Sequence, residues 1–139
     1  SITMNLHPSI FKTYDIRGIY PTQMDDEGAY AIGRAYATLM FKENAGRQMN
    51  IAVGSDARLS SPSLKANLVK GLTDSGLNVL DIGLVSTPTY YYAVAAKGYD
   101  GGIQVSASHN PKEYNGFKIV RKGGIMVGFD SGLREIKNK

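Results

Sequence analysis

Three times along this chain a short, strand-like run gives way to a longer segment with helical spacing, and that alternation limits the possible folds most. Tyr14 to Ile19 reads as a short extended segment punctuated by Gly18. Asp25, Asp26 and Glu27 then mark a helix start, where carboxylates meet the positive end of the helix dipole. Apolar positions Ala29, Ile32, Tyr36, Leu39 and Met40 carry this helix to about Lys42, and Asn44-Ala45-Gly46 ends it. Ile51-Ala52-Val53 predicts a buried strand that stops at Gly54-Ser55-Asp56-Ala57-Arg58. Ser61-Pro62 starts a second helix, with serine as cap, Leu64, Leu68 and Leu72 as its buried stripe, and Gly76 as its close. Leu77 to Ile82 is the next strand. Thr87-Pro88 caps a third helix whose Tyr91, Val94 and Ala95 face inward, and Gly101 to Val105 is the strand after it. Such alternation builds parallel crossover units. The expected fold is therefore α/β: a three-layer α/β/α domain with a mixed, mainly parallel sheet.

After Val105 the pattern changes. Asn115-Gly116 is a tight-turn signal, and Phe117 to Val120 with Ile125 to Val127 reads as a hairpin around Gly123-Gly124. These predict an antiparallel portion towards the C-terminal end, followed by a helix from Phe129 to Lys139. Residues 1–139 fit one domain, long enough to bury an ordinary core.

Composition excludes several classes. A hydrophobic content of 42% and a charged content of 20% are those of a folded globular chain. No apolar run approaches the roughly 20 residues that span a bilayer, and Ser1 to Asn5 lacks the layout of a secretory signal. The absence of cysteine excludes disulfides and thiolate metal sites, and it suits a cytoplasmic location. The net charge is +4, yet Arg121-Lys122 and Lys137 to Lys139 lack interleaved aromatics. Neither nucleic acid nor membrane is expected as a partner, whereas a small anionic substrate fits the charge.

The chemistry-bearing stretch is Ser106-Ala107-Ser108-His109-Asn110-Pro111, delivered by the strand that ends at Val105. Open α/β sheets place ligands beyond the carboxyl ends of their strands, and Ser108 sits there. The plain alternative is that Ser106 and Ser108 only cap loop amides. His109 and Asn110 add polar handles, and Pro111 stiffens the loop. A hydrolase elbow Gly-x-Ser-x-Gly is missing, and so are the Gly-rich nucleotide fingerprints. Lys118 lies between Phe117 and Ile119, which should face the core, so its ammonium is left on the side of the Ser108 loop. There it could neutralise a transferring phosphoryl group or move a proton, the plain alternative being a surface lysine on an edge strand. Arg17, behind Tyr14 and before Gly18, offers a planar fork to phosphate, with pairing to Asp15 or Asp56 as the alternative. Asp56 and Arg58 read as a structural ion pair, and Tyr90-Tyr91-Tyr92 as helix packing.

Taken together, these residues resemble the N-terminal domain of the alpha-D-phosphohexomutases, most closely the bacterial phosphomannomutase/phosphoglucomutase branch. The resemblance rests on Phe11 to Gly18, Gly54 to Ser60, Ile82 to Pro88, and Ser106 to Pro111 with Tyr114-Asn115-Gly116-Phe117-Lys118, in the family's order. It implies that Ser108 is a phosphoserine that passes its phosphoryl group to a hexose phosphate and recovers another from the bisphosphate formed. It implies Mg²⁺ bound to a phosphoryl oxygen on Ser108, Lys118 in proton transfer or charge stabilisation, and Tyr14, Arg17 and Asn110 facing substrate. His109 is a candidate catalytic group on the same basis. Ser106-Ala107 departs mildly from the family's usual threonine-led start. An aspartate-rich metal loop and the sugar-binding loops are missing from the sequence, so the expectation is one domain of a four-domain enzyme, inactive alone, its partners being the missing domains. A phosphoglucosamine mutase and a non-catalytic phosphosugar-binding module stay open as alternatives.

Overall fold

The structure, a computed structural model, describes residues 6–138; Ser1 to Asn5 and Lys139 lie outside them. In chain order it comprises β1 (Ile16–Ile19), α1 (Asp26–Glu43), β2 (Asn50–Ser55), α2 (Ser61–Asp74), β3 (Asn78–Leu84), α3 (Thr87–Ala96) and β4 (Gly101–Val105). Then follow β5 (Tyr114–Arg121), β6 (Ile125–Met126) and α4 (Leu133–Lys137). The strands form one sheet in the order β1-β5-β4-β2-β3, with β6 beside β5. β2 is parallel to β3 and β4, while β5 is antiparallel to β4, β1 and β6. Every strand but β5 therefore runs in one sense. The sheet is mixed and mainly parallel, as the alternation predicts, and its antiparallel portion arises from one strand inserted between β1 and β4.

Sequence explains the helices that cover the sheet. Asp25 caps α1 by accepting a hydrogen bond from the Gly28 amide at 2.8 Å. Leu64, Leu68 and Leu72 of α2 are fully buried against the sheet. Each such side chain contributes on the order of 1.5–3 kcal/mol by leaving water. The two helices approach so closely that a Cβ at Gly33 would lie 2.6 Å from the Leu68 carbonyl oxygen, and one at Gly71 would overlap the Tyr30 carbonyl. Because side chains alternate across a strand, Ile51, Val53, Ile103, Val105, Phe117 and Ile119 all face this α1/α2 layer. The other face is covered by α3, whose Tyr90 and Val94 pack on Ala52 and Val120.

Two tyrosines fasten β5 from opposite faces. The Tyr36 hydroxyl of α1 donates to the Val120 carbonyl at 2.9 Å, and the Tyr90 hydroxyl of α3 donates to the Lys118 carbonyl at 2.9 Å. Glycines in β4 leave them room: a Cβ at Gly101 would overlap the Tyr36 hydroxyl, and one at Gly102 would sit 3.0 Å from the Tyr90 ring.

Four local expectations change. Asn115-Gly116 is no turn but part of β5: the Asn115 amide donates to the Ser60 and Ser61 hydroxyls at 2.8 and 3.0 Å, so a tertiary partner satisfies it in extended backbone. Ser61 is not the cap of α2. Ser60 holds that position without a side-chain cap bond, and Ser61 instead donates to Asp56 Oδ1 at 2.7 Å. In α3 the cap is Ser86, and Tyr90 rather than Tyr91 is buried while Ala95 is exposed, because the Tyr90 ring takes the space above Gly102. The C-terminal helix is broken into a 3-10 turn, Phe129–Ser131, and α4, at Gly132 with φ +152°.

Candidate active site

The loop after β4 leaves the sheet at the carboxyl edge of the parallel strands, beside the Asp56–Arg58 segment that ends β2. Ser106 is buried, and its Oγ accepts from the Ser108 amide at 3.0 Å. Asn110 closes the turn by donating from Nδ2 to the Ala107 carbonyl at 2.7 Å. Only one of the two loop serines therefore caps an amide. Ser108 is exposed, holds φ +55°, and lines a cleft of about 760 Å³. A left-handed φ on a non-glycine residue is strained and persists only where the surroundings impose it.

Lys118 reaches the same cleft from the middle of β5. Phe117 and Ile119 point into the core, so the lysine faces the other way. It arrives there because β5 pairs antiparallel with β4, not because of a turn at Asn115. Its Nζ donates to Asp15 Oδ2 at 3.0 Å, and Arg17 Nε donates to Asp15 Oδ1 at 3.0 Å. One nearly buried carboxylate thus orients two cations, one on each oxygen. Tyr14, 64% exposed, forms part of the rim, and Asn110 also lines the cleft. Phe11, Tyr91, Met126 and Phe129 supply an apolar wall. Burial, and then the Asp15 charge, hold the Tyr91 phenol above its ordinary range. Lys12, Arg17 and Lys118 outnumber Asp15 and Asp130 around the opening, so the cleft attracts anions.

The structure thus brings together Ser108, Asn110, Lys118, Arg17 and Tyr14, and it leaves out His109, which is exposed and does not line the cleft. Sequence reasoning missed Asp15 as the shared anchor and Arg58 as more than an ion-pair partner. Both stand in an Asp-x-Arg spacing beside the carboxyl edge, a signal that could have singled them out. Among the described residues no three His, Asp or Glu side chains gather as a metal site. The carboxylates on the cleft are already engaged, Asp15 by its two cations and Asp130 by Arg134 at 2.7 Å.

Fold and cleft together define an α/β/α domain that presents an exposed serine hydroxyl in an anion-attracting pocket. The family described as phosphoglucomutase/phosphomannomutase, alpha/beta/alpha domain I, matches residues 8–139, and the chain belongs to it. It is 49% identical over 127 residues to a phosphomannomutase of Vibrio cholerae, covering 91% of this chain and 27% of that protein. It is 44% identical over 119 residues to a phosphoglucomutase of Neisseria gonorrhoeae, covering 86% of this chain and 25% of that protein. A crystal structure of a phosphoglucomutase/phosphomannomutase family protein from Burkholderia thailandensis superimposes with a TM-score of 0.82 at 37% identity, over 96% of this chain and 30% of that one. The chain therefore spans about a quarter of the length of the curated relatives named here.

Proposed function

We propose that this domain carries the phosphoryl group of an intramolecular phosphotransferase that interconverts hexose 1-phosphate and 6-phosphate through a bisphosphorylated sugar. One observation carries the reading: Ser108, strained and exposed, shares a cleft with the Lys118 and Arg17 pair that Asp15 orients. In the first transfer the P–O bond to Ser108 Oγ breaks as a sugar hydroxyl forms its own P–O bond, the sugar oxygen giving up its proton and the seryl oxygen taking one up. In the second, Ser108 Oγ gives up its proton and forms the new bond to the other phosphoryl group of the bisphosphate, while that group's P–O bond to the sugar breaks and the sugar oxygen takes a proton. Catalysis of such a step is positioning plus charge stabilisation. Lys118 supplies positive charge near the seryl oxygen, and the outer guanidinium nitrogens of Arg17 face the phosphate of the incoming sugar. Mannose and glucose phosphates are the favoured substrates, in keeping with the names of the relatives.

Among the described residues no three carboxylate or imidazole side chains form a cage for Mg²⁺, so its link to this domain would be an oxygen of the phosphoryl group on Ser108. When bound there it would neutralise charge on that group. Its other ligands, and the clamp on the distal phosphate, belong to the parts of the enzyme beyond this domain. The test is to treat the full-length protein with hexose 1,6-bisphosphate and measure intact mass. A single phosphate adduct that maps to Ser108 is expected. Ser108→Ala should lose both the adduct and nearly all mutase turnover, and wild-type turnover in that variant rejects the assignment.

A further inference from the structure

Arg58 reads in sequence as the partner of Asp56, but the ion pair uses only one of its donors. Nε donates to Asp56 Oδ2 at 3.2 Å. Nη1 donates to the carbonyls of Pro111 at 2.6 Å and Tyr114 at 3.0 Å. Nη2 donates to the carbonyls of Ser108 at 2.8 Å and Asn110 at 2.7 Å. A guanidinium has five N–H donors in a rigid planar fork, so these bonds engage all of them. Four of the five acceptors are main-chain oxygens of the segment that carries Ser108. Asp56 is itself held, since its Oδ1 accepts from the Arg58 amide at 3.1 Å and from the Ser61 hydroxyl at 2.7 Å.

The start of the loop is also anchored, with the Ser106 amide donating to the Gly116 carbonyl at 2.9 Å and Ala107 fully buried, whereas Ser108 and His109 are exposed. The loop's other side-chain hydrogen bonds, from Ser106 and Asn110, are internal to it. Among the described residues, Arg58 is the one side chain from elsewhere that hydrogen-bonds to residues 106–111. Ser108 is thereby gripped at both ends: its N–H by the Ser106 hydroxyl and its C=O by Arg58 Nη2. Those two contacts set the peptide planes on either side of the residue with φ +55°.

We propose that Arg58 is a positioning residue for Ser108. It imposes the left-handed backbone that presents Oγ to the cleft, and it keeps that presentation while the serine gains and loses its phosphoryl group. The inference rests on the reading of Ser108 as phosphoryl carrier. Because every N–H of Arg58 is committed, it takes no part in binding the phosphate of the sugar. Arg17, which lines the cleft and commits only Nε to Asp15 among the described residues, has the opposite role.

The test uses Arg58→Lys and Arg58→Gln in the full-length enzyme. Lysine keeps charge and stem but cannot span four carbonyls with a point charge, so it guards against simple loss of the fold. A displacement of about 1 Å at a reacting group costs roughly a hundredfold in rate, so kcat should fall by about that factor while KM for the hexose phosphate stays near wild type. Hydrogen exchange at the Ser108 and Asn110 amides should accelerate by about tenfold or more, while the Ile103 and Val105 amides keep their protection. Wild-type kcat and loop exchange in both variants would overturn the proposal. So would loss of protection at Ile103 and Val105 in step with the loop, which would make Arg58 a general support of the fold. Ser108→Ala, assayed beside them, separates the two readings. If it is inactive while the Arg58 variants behave as wild type, only the positioning role fails; if it turns over normally, the carrier reading fails by itself.

Discussion

On the α1/α2 side of the sheet, Ile51, Val53, Ile103, Val105, Phe117 and Ile119 meet a continuous layer of leucine, isoleucine and methionine. On the α3 side the same strands present Gln104, Gly116 and Lys118, and the buried apolar cluster among the described residues there is smaller, Ala52, Tyr90, Val94 and Val120 with Ile82, Val85, Tyr91 and Tyr99 partly buried against it. Alternation along the strand lets one set of residues hold the fold and lets Lys118, on the other face, reach the cleft. On the proposed function, stability and chemistry fall on opposite faces of the same backbone, and substitutions should separate them.

Leu68→Ala strikes the first face at a fully buried position and should cost the largest amount, about 2–5 kcal/mol of unfolding free energy by denaturant titration. The folded fraction should still take a phosphate on Ser108. Lys118→Met strikes the second face. Loss of one charge-stabilising group of this kind lowers turnover by roughly 10²–10³, whereas stability should fall by less than in Leu68→Ala, because Arg17 still pairs with the nearly buried Asp15. A Lys118→Met protein as unstable as Leu68→Ala would break the contrast between the faces. Glu43→Gln lies at the edge of the first face and should be smallest. Two hydrogen bonds from Arg121, at 2.7 and 2.6 Å, hold the Glu43 carboxyl below its usual range. A folded value below the unfolded one contributes stability above the ordinary glutamate value of about 4.3, and that stability is lost as pH falls through the folded value. The gap between wild type and Glu43→Gln should therefore be under about 1 kcal/mol at pH near 7 and close on acidification. A gap that widens in acid would contradict the assigned pair.

The layered fold was legible because amphipathic spacing and strand-length apolar runs are written in residue types. The stripe from Ala29 to Met40 is buried as its period requires, and so are Leu64, Leu68 and Leu72. What escaped the sequence depends on partners distant along the chain. Asn115-Gly116 has the local preference of a turn, yet the Ser60 and Ser61 hydroxyls satisfy Asn115 inside a strand. Ser108, Lys118 and Arg17, which line one cleft, could be singled out because their side chains are of types that carry chemistry. Arg58 was only half seen, because four of its acceptors are main-chain carbonyls, which carry no residue identity for a reader to recognise. His109 was drawn in by adjacency, and a neighbour in sequence need not share an orientation in a kinked loop.

The two tyrosines that fasten β5, Tyr36 of α1 and Tyr90 of α3, bear on where Lys118 points. A strand that slipped by one residue would exchange its faces, sending Lys118 into the hydrocarbon layer and Phe117 or Ile119 into the cleft. Tyr36 and Tyr90 reach carbonyls two residues apart from opposite sides, so both bonds are satisfied in one alignment only. Burial raises both phenols far above their ordinary range, so they remain donors through neutral and mildly alkaline conditions. They act as a lock on register: two buried hydroxyls outside the cleft decide which side of β5 carries a cation.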